Sequence, residues 1–392
     1  MISFAPYARL LRERDLRFLF GASLIGRLPI GMTGLAILLL VQQAVGSFAA
    51  GGAVTGCYIA GLASVAPPIG RLIDRRGPRG VLLASALLFP ASLWALVGAV
   101  YAGSGMLIVL LWASAAGAAF PPITVCIRTY LRQRLADDAH LSTAYSLDSA
   151  LIELMFIAGP LLVAALVAFA SPSAAVSFAA ACGAIGALLF WRSKPLGSWR
   201  IEAARSATLL GPLATRNFVP LIAIVACYSL AFGLTEIGVV AFAAENRHPT
   251  LAGVFLGVMS AGSALGGLAY GSRSWGAPLL RQFGVTLAIM AIGLFVLAAP
   301  WSSLAFFALC FVAGIVMAPA LIIQSMLIAK TARPEHTTEA FTWSTTALLA
   351  GVGLGMAAGG VLVESWQSPA ALAAGGASTA FAAALAWWLA DR

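Results

Sequence analysis

Four ionisable residues interrupt long apolar stretches of this chain: Arg27, Asp148, Glu153 and Glu236. In hydrocarbon, each such charge costs on the order of 2.5 to 3.5 kcal/mol at the centre of a helix, so it needs an oppositely charged partner or water. A carboxylate that faces a cavity open alternately to either side of a membrane can take up a proton on one side and release it on the other. These residues therefore predict proton exchange inside a membrane.

Depth along the helices suggests how the four residues pair. Arg27 lies about 11 residues into its apolar stretch and Glu153 about 13 into its own, so at about 1.5 Å per residue both lie near mid-depth. Asp148 precedes Glu153 by five residues, about 140° round a helix, and is expected to face another surface. The sequence favours an Arg27–Glu153 pair and leaves Asp148 open as the alternative partner, with the unpaired carboxylate facing a cavity. A static salt bridge that only fixes helix packing is the structural alternative.

Glu236 lies in the outer half of its apolar stretch. No basic residue of similar depth is visible in its half of the chain. We therefore predict that Glu236 faces a cavity and binds a proton or a cationic substrate. Glu245 and Glu364, at outer helix ends, are expected to be solvated.

The elements that position these charges are membrane helices. With 61% hydrophobic and 9% charged residues, the chain has too few polar side chains to cover a water-soluble surface. Twelve apolar stretches, spans 1 to 12, each reach the roughly 20 residues that cross a bilayer core. They lie at about 16 to 44, 48 to 72, 80 to 102, 105 to 132, 140 to 169, 173 to 191, 216 to 245, 250 to 272, 278 to 299, 301 to 329, 336 to 365 and 369 to 389. The predicted fold class is an all-α membrane protein.

The basic residues predict the orientation of these spans. Of the 23 Lys and Arg residues, all except Arg27 and Arg247 fall in one alternating set of loops and chain ends. Because basic residues near helix ends stay on the cytoplasmic side, both termini are predicted to be cytoplasmic. The net charge of +9 is spread over short loops, which favours contact with the lipid bilayer over binding of nucleic acid.

The chain reads as two halves. A hydrophilic stretch after span 6 predicts an N-terminal bundle over 1–192, a cytoplasmic linker over 193–215 and a C-terminal bundle over 216–392. Residues 144–167 align with 340–363 at a constant offset of 196, which matches Gly159 with Gly355. Spans 1 and 7 run in the same direction, so we interpret the halves as a parallel duplication with a substrate cavity between them. A chance match between small apolar residues is the alternative.

The loop after span 2 carries a recognisable motif. Its residues at family spacing are Gly70, Leu72, Asp74, Arg75, Gly77 and Arg79. They resemble the signature of the major facilitator superfamily, and the resemblance covers essentially the whole chain, most closely the bacterial efflux-type permeases. It implies a monomer of twelve transmembrane helices in two pseudo-symmetric six-helix bundles, in the bacterial cytoplasmic (inner) membrane.

The resemblance also implies a cytoplasmic gate. Asp74 and the neighbouring arginines would close the cytoplasmic side against the start of span 11, near Thr337 to Glu339. In such a loop Gly70 would allow close helix approach and Gly77 a tight turn. The alternative is a basic loop that only sets orientation.

Span 5 contains Gly159-Pro160, which resembles part of the antiporter motif in which Gly-Pro bends the helix. The doubled glycine that follows in that motif is absent. Span 4 lacks the intramembrane arginine common in proton-coupled members, and Arg128 lies nearer the predicted cytoplasmic end. These departures weaken a direct transfer of the family's proton relay.

Polar and aromatic residues within spans complete the predicted substrate cavity: Gln42, Tyr58, Tyr228, Gln324 and Trp343. The chain lacks a phosphate-binding loop and a histidine pair at metal spacing, so we predict no enzyme activity, no metal and no cofactor beyond a proton gradient. The predicted function is export of small amphipathic or apolar molecules in exchange for protons. Uptake or facilitated diffusion of a nutrient such as a sugar is one alternative, and a non-transporting membrane sensor or scaffold is another.

Overall fold

The structure, a computed structural model, describes residues 12–134, 138–193, 196, 218–271, 275–331 and 337–390. Regular structure in these ranges is helical. Most of the predicted linker over 193–215 lies outside the described residues, so the bundle boundary stays a prediction.

Twelve membrane crossings follow the predicted spans. Spans 1 to 3 are Arg14–Val45, Phe48–Arg76 and Pro78–Tyr101; span 4 is Met106–Ala118 followed by Ile123–Arg134; spans 5 to 9 are Asp138–Phe169, Pro172–Trp191, Phe218–Glu245, Leu251–Gly271 and Leu279–Leu297; span 10 is Ser303–Gly314 followed by Met317–Thr331. Spans 11 and 12 form one helical segment, Thr337–Ala390, which is broken by non-helical backbone at Trp366 and Gln367. The predicted fold class, an all-α membrane protein, is confirmed.

Proline and serine residues start and interrupt these helices. Ser47 and Ser171 accept hydrogen bonds from the backbone N–H groups of Ala50 and Ala174, which satisfies free donors at the first turns of spans 2 and 6. Span 4 breaks where Pro121-Pro122 removes two backbone donors. Span 10 breaks at the equivalent point, since Ala119 and Ile315, which end the two first segments, are 196 residues apart.

The packing of the spans repeats between the halves. Span 1 packs on spans 5 and 6, and span 7 packs on spans 11 and 12 in the same way. The contact between spans 2 and 4 corresponds to that between spans 8 and 10, and the contact between spans 3 and 6 to that between spans 9 and 12. Where span 1 crosses span 5, Gly31 meets Gly159; where span 7 crosses span 11, Gly233 meets Gly355. Glycine permits these backbone contacts because a Cβ on Gly233 would lie 2.9 Å from the carbonyl carbon of Gly355.

Among the described residues, the two bundles share a core at one face. We call the side of Arg14 and Ala390 the terminal face, and the side of the turns at 46–47, 246–250 and 366–367 the distal face. In the distal half, one apolar cluster includes Phe89 of the first bundle and Phe255 of the second. In the terminal half, each bundle has its own cluster. The bundles are therefore joined at the distal face and packed separately at the terminal face.

Candidate functional site

A buried charge cluster lies inside the first bundle. Arg27 of span 1 donates from Nη1 to Asp148 of span 5 at 2.5 Å, and Arg128 of span 4 donates from Nε to the other carboxylate oxygen at 2.7 Å. Arg27 is 1% exposed and Asp148 is fully buried, whereas the Arg128 side chain is 47% exposed. Three spans are thus tied together by one carboxylate, and Arg128 connects it to the surface.

Arg27 has one described partner. Asp148, the alternative that the sequence left open, forms the ion pair. Within the described part of the chain, Nε and Nη2 of Arg27 have no hydrogen-bond partner. The side chain of Glu153 lies outside the described residues, so its pairing with Arg27, which depth along the helices favoured, stays a prediction.

Arg128 is a site residue that sequence reasoning missed. It was assigned to the set of basic residues at the cytoplasmic helix ends, but it lies within span 4 and bonds a buried carboxylate. The internal repeat contained a usable signal. Arg128 and Gln324 are 196 residues apart, as are Asp148 and Ser344, so the repeat places a polar residue at each corresponding position.

The second bundle carries a neutral network at those equivalent positions. The Tyr228 hydroxyl of span 7 donates to Oε1 of Gln324 on span 10, and Nε2 of Gln324 donates to the Ser344 hydroxyl of span 11 at 2.6 Å. All three side chains are buried. The two predicted cavity residues Tyr228 and Gln324 therefore bond to each other, and Ser344 is an unpredicted third member. One bundle holds its three spans with charges and the other with neutral hydrogen bonds.

Glu236 lies where the two bundles meet. Its Oε1 is 3.6 Å from the position that a Cβ on Gly34 of span 1 would take, and methyl groups of Thr55 on span 2 and Met356 on span 11 lie 3.7 and 3.9 Å from the same point. Its side chain is partly exposed and forms no hydrogen bond or ion pair with another described residue. A carboxylate from the second bundle thus faces an apolar contact made mainly by the first.

Unpaired hydroxyl groups lie beside this carboxylate in sequence. Thr33 and Thr235 directly precede Gly34 and Glu236 in the sequence. Both are buried, and their hydroxyls have no hydrogen-bond partner among the described residues. Thr33 also lies beside the phenol of Tyr58, without hydrogen-bond geometry. Tyr58, which was predicted to line the substrate cavity, therefore lies near the residues around Glu236. Its side chain is 3% exposed and belongs to the apolar cluster of the distal half.

The other predicted cavity residues are elsewhere. Gln42 is in the last turn of span 1, close to the distal face. Trp343 is partly buried and packs on the terminal cluster of the second bundle. The role of both residues in substrate binding stays a prediction.

Most of the predicted gate lies outside the described residues. Gly77 has φ 78°, which agrees with the tight turn expected between spans 2 and 3. Among the described residues, a Cβ on Gly70 would meet nothing within 4 Å, and the close helix approach expected there stays a prediction. Arg79 is exposed, and the side chains of Asp74, Arg75 and Thr337 to Glu339 lie outside the described residues.

Gly159-Pro160 lies at a double contact. Gly159 packs on the Gly31 backbone of span 1, and the Pro160 carbonyl approaches Gly253 of span 8. Span 5 thus contacts span 1 of its own bundle through Gly159 and span 8 of the other bundle through Pro160. Pro160 stands inside the continuous helix Asp138–Phe169, and the predicted bend at this point stays a prediction.

The two outer carboxylates expected to be solvated are exposed, and each also has defined hydrogen-bond partners. Glu245, at the end of span 7, accepts hydrogen bonds from the backbone N–H of Ser368 at 2.7 Å and from its hydroxyl at 2.5 Å. Glu364, at the end of span 11, accepts from the Ser47 hydroxyl and from the Ala49 N–H at 3.2 Å. Each therefore binds the first turn of another helix, and that of Glu364 belongs to the other bundle.

Two pseudo-equivalent helix bundles that are joined at one face, with a charge cluster inside one bundle and a carboxylate where the two meet, are typical of a membrane transporter, and the comparisons agree. The family model of the Major Facilitator Superfamily matches residues 19–347. The chain belongs to the major facilitator superfamily, and it is a transporter rather than an enzyme.

Solved transporters share the fold. The nucleoside transporter NupG superposes with a TM-score of 0.75 at 15% identity, over 96% of this chain and 98% of that one. A bacterial homologue of the iron transporter ferroportin, in an inward-facing state, gives 0.73 at 14% identity over 96% and 99%. A peptide transporter, POT, gives 0.69 at 14% over 96% and 94%. No curated protein matches the sequence.

Proposed function

We propose that this chain exports small amphipathic or apolar molecules in exchange for protons by alternating access. It would act as a monomer in the bacterial cytoplasmic membrane with both termini in the cytoplasm. The terminal face, where the bundles have separate cores, would then be the cytoplasmic face, and the structure would represent a state closed to the outside.

Glu236 is the observation that carries the coupling proposal. An ionised carboxylate beside Gly34, Thr55 and Met356, without a described partner, is costly in this apolar contact. A proton bound to Glu236 removes that cost. Separation of spans 1 and 2 from span 7 at the distal face would admit water to the carboxylate, which then exchanges its proton with the outside. Proton binding is thereby linked to the change of access.

The charge cluster supports an apolar or amphipathic substrate. Asp148 is fully buried and engaged by two arginines, so it offers no free acceptor to a highly polar substrate. In the second bundle, Tyr228, Gln324 and Ser344 satisfy one another. These two groups of polar side chains hold spans together, so we infer that a ligand would bind mainly through apolar contacts.

The test is transport by purified protein in liposomes with an imposed pH gradient and a panel of labelled amphipathic compounds. Glu236→Gln should abolish accumulation driven by the gradient while exchange without a gradient continues, because the variant cannot lose a proton. Glu245→Gln is the matched control on the same span, since Glu245 binds Ser368 of its own bundle. Gradient-driven flux that is equal in the wild type and Glu236→Gln would refute the coupling role.

The same assay separates the alternatives. An importer would accumulate labelled compound in the opposite direction under the same gradient. A uniporter would equilibrate a nutrient such as a sugar with no response to pH. A membrane sensor or scaffold would move none of the compounds, and Glu236→Gln would leave it unaffected.

A further inference from the structure

A polar contact joins the two bundles at the distal face. The Glu364 carboxylate of span 11 accepts hydrogen bonds from Ser47 and from the backbone N–H of Ala49, at the start of span 2. Ser47 is also the cap of that helix, since its hydroxyl accepts from the Ala50 N–H at 2.9 Å. A negative charge at a helix N-terminus is stabilised by the free N–H groups and the helix dipole. Glu364 therefore completes the first turn of a helix in the other bundle.

Close backbone packing surrounds this contact. A Cβ on Gly360 would lie 2.8 Å from the Cα of Ala49, and one on Gly56 would lie 2.8 Å from the Gly353 carbonyl oxygen. Gly52 is similarly close to the Met356 carbonyl. Spans 2 and 11 thus approach closely over about two helical turns. Glu364 lies at the distal end of this seam, where separation of the bundles would begin.

The corresponding contact between the bundles, or seam, is formed by spans 5 and 8, and its described contacts are apolar. Span 5 meets span 8 through Pro160 and Ala164 against Gly253, and through Leu161 against Gly257. The residue 196 positions before Glu364 is Ala168, which has no carboxylate to offer span 8. Among the described residues, the contact between spans 2 and 11 therefore includes a charged group, and the corresponding contact between spans 5 and 8 does not.

We propose that Glu364 is a gating residue that holds the distal face closed through the N-terminus of span 2. The proposal rests on alternating access, which is part of the proposed function. Glu364 binds span 2 only while the bundles are together at the distal face, so its contribution is lost when they part. Breaking it would shift the protein toward the distally open state without touching Glu236 or the charge cluster.

Glu245 is a matched control within the same chain. It also binds the first turn of a helix, through the N–H and hydroxyl of Ser368, but both partners belong to the second bundle. Its contacts are expected to survive when the bundles separate. Glu364→Gln and Glu245→Gln therefore remove the same kind of interaction, and only the first lies across the moving interface.

The test is amide hydrogen exchange of the full chain in detergent or nanodiscs, without substrate or pH gradient. Glu364→Gln should raise exchange in the distal parts of spans 2 and 11, and also across the remote seam at 160–164 and 253–257, by roughly five- to thirty-fold. Glu364→Ala should act in the same direction and at least as strongly. Glu245→Gln should raise exchange only around 366–372.

The remote seam distinguishes gating from a local cap. If Glu364 only stabilises the first turn of span 2, exchange will rise at 47–50 and nowhere else, which overturns the proposal. Unchanged exchange in both Glu364 variants overturns it as well. Proton coupling is measured separately through Glu236→Gln in liposomes, so the gate can fail while coupling stands, and the reverse.

Discussion

Replacement of Asp148 by Asn tests whether the buried charge cluster holds the first bundle together. The carboxylate is fully buried and accepts from Arg27 at 2.5 Å and from Arg128 at 2.7 Å. The neutral amide would leave Arg27 as a buried charge with no described counter-charge. Removal of one partner from a buried ion pair costs about 3 to 5 kcal/mol. Arg128 is half exposed and can turn to water, so most of the loss comes from Arg27.

The assay is thermal unfolding of the purified full chain in detergent. At about 2 °C per kcal/mol, Asp148→Asn should lower the apparent unfolding temperature by about 6 to 10 °C. Removal of both charges, with Arg27→Met and Asp148→Asn combined, should recover most of that loss, because no unpaired charge stays buried. Ser344→Ala is the control at the equivalent position, where loss of one neutral hydrogen bond should cost about 1 to 3 kcal/mol.

Two results would refute this reasoning. An unfolding temperature for Asp148→Asn that equals that of the wild type would mean that the carboxylate is not needed to neutralise Arg27. A double variant that is less stable than Asp148→Asn alone would mean that Arg27 is stabilised by something other than Asp148. In either case the cluster would not be the contact that joins spans 1, 4 and 5.

Two further predictions concern glycine contacts. Gly31→Ala should destabilise the protein by about 1 to 3 kcal/mol, because its Cβ would strike the backbone of span 5; Gly98→Ala, with open space around its Cβ, should be neutral or stabilising, and equal unfolding temperatures for the two variants would contradict the packing argument. Gly360→Ala should oppose the close contact between spans 2 and 11, since its Cβ would press on Phe48 and Ala49. It should therefore raise amide hydrogen exchange at the distal face. Unchanged exchange would show that the two spans accommodate the methyl group without separating.

Much of the fold could be predicted from the sequence because a bilayer imposes strong local requirements. Each crossing needs about 20 mostly apolar residues, and these runs stand out in a chain with 9% charged residues. The duplication was visible for a similar reason. Gly159 and Gly355 occupy equivalent helix crossings against Gly31 and Gly233, and a bulkier residue at either would force the backbones apart.

The candidate site was harder to predict because its contacts join remote segments. The sequence marked Arg27 and Asp148 as intramembrane charges that need partners, and it left open whether Asp148 or Glu153 pairs with Arg27. It assigned Arg128 to the set of basic residues at the cytoplasmic helix ends, and it did not predict that the exposed Glu364 bonds the start of span 2. Contacts of this kind depend on how one helix is rotated against another, which a depth argument along single helices does not include.

By itself, the sequence determined the number of membrane crossings, the internal duplication and the presence of costly intramembrane charges, because these depend on composition and spacing along the chain. Only the tertiary structure decided which charges meet, where the bundles touch and which helix end receives the Glu364 carboxylate. Those outcomes depend on helix rotation, tilt and crossing, which are set by the packing of side chains from distant parts of the chain.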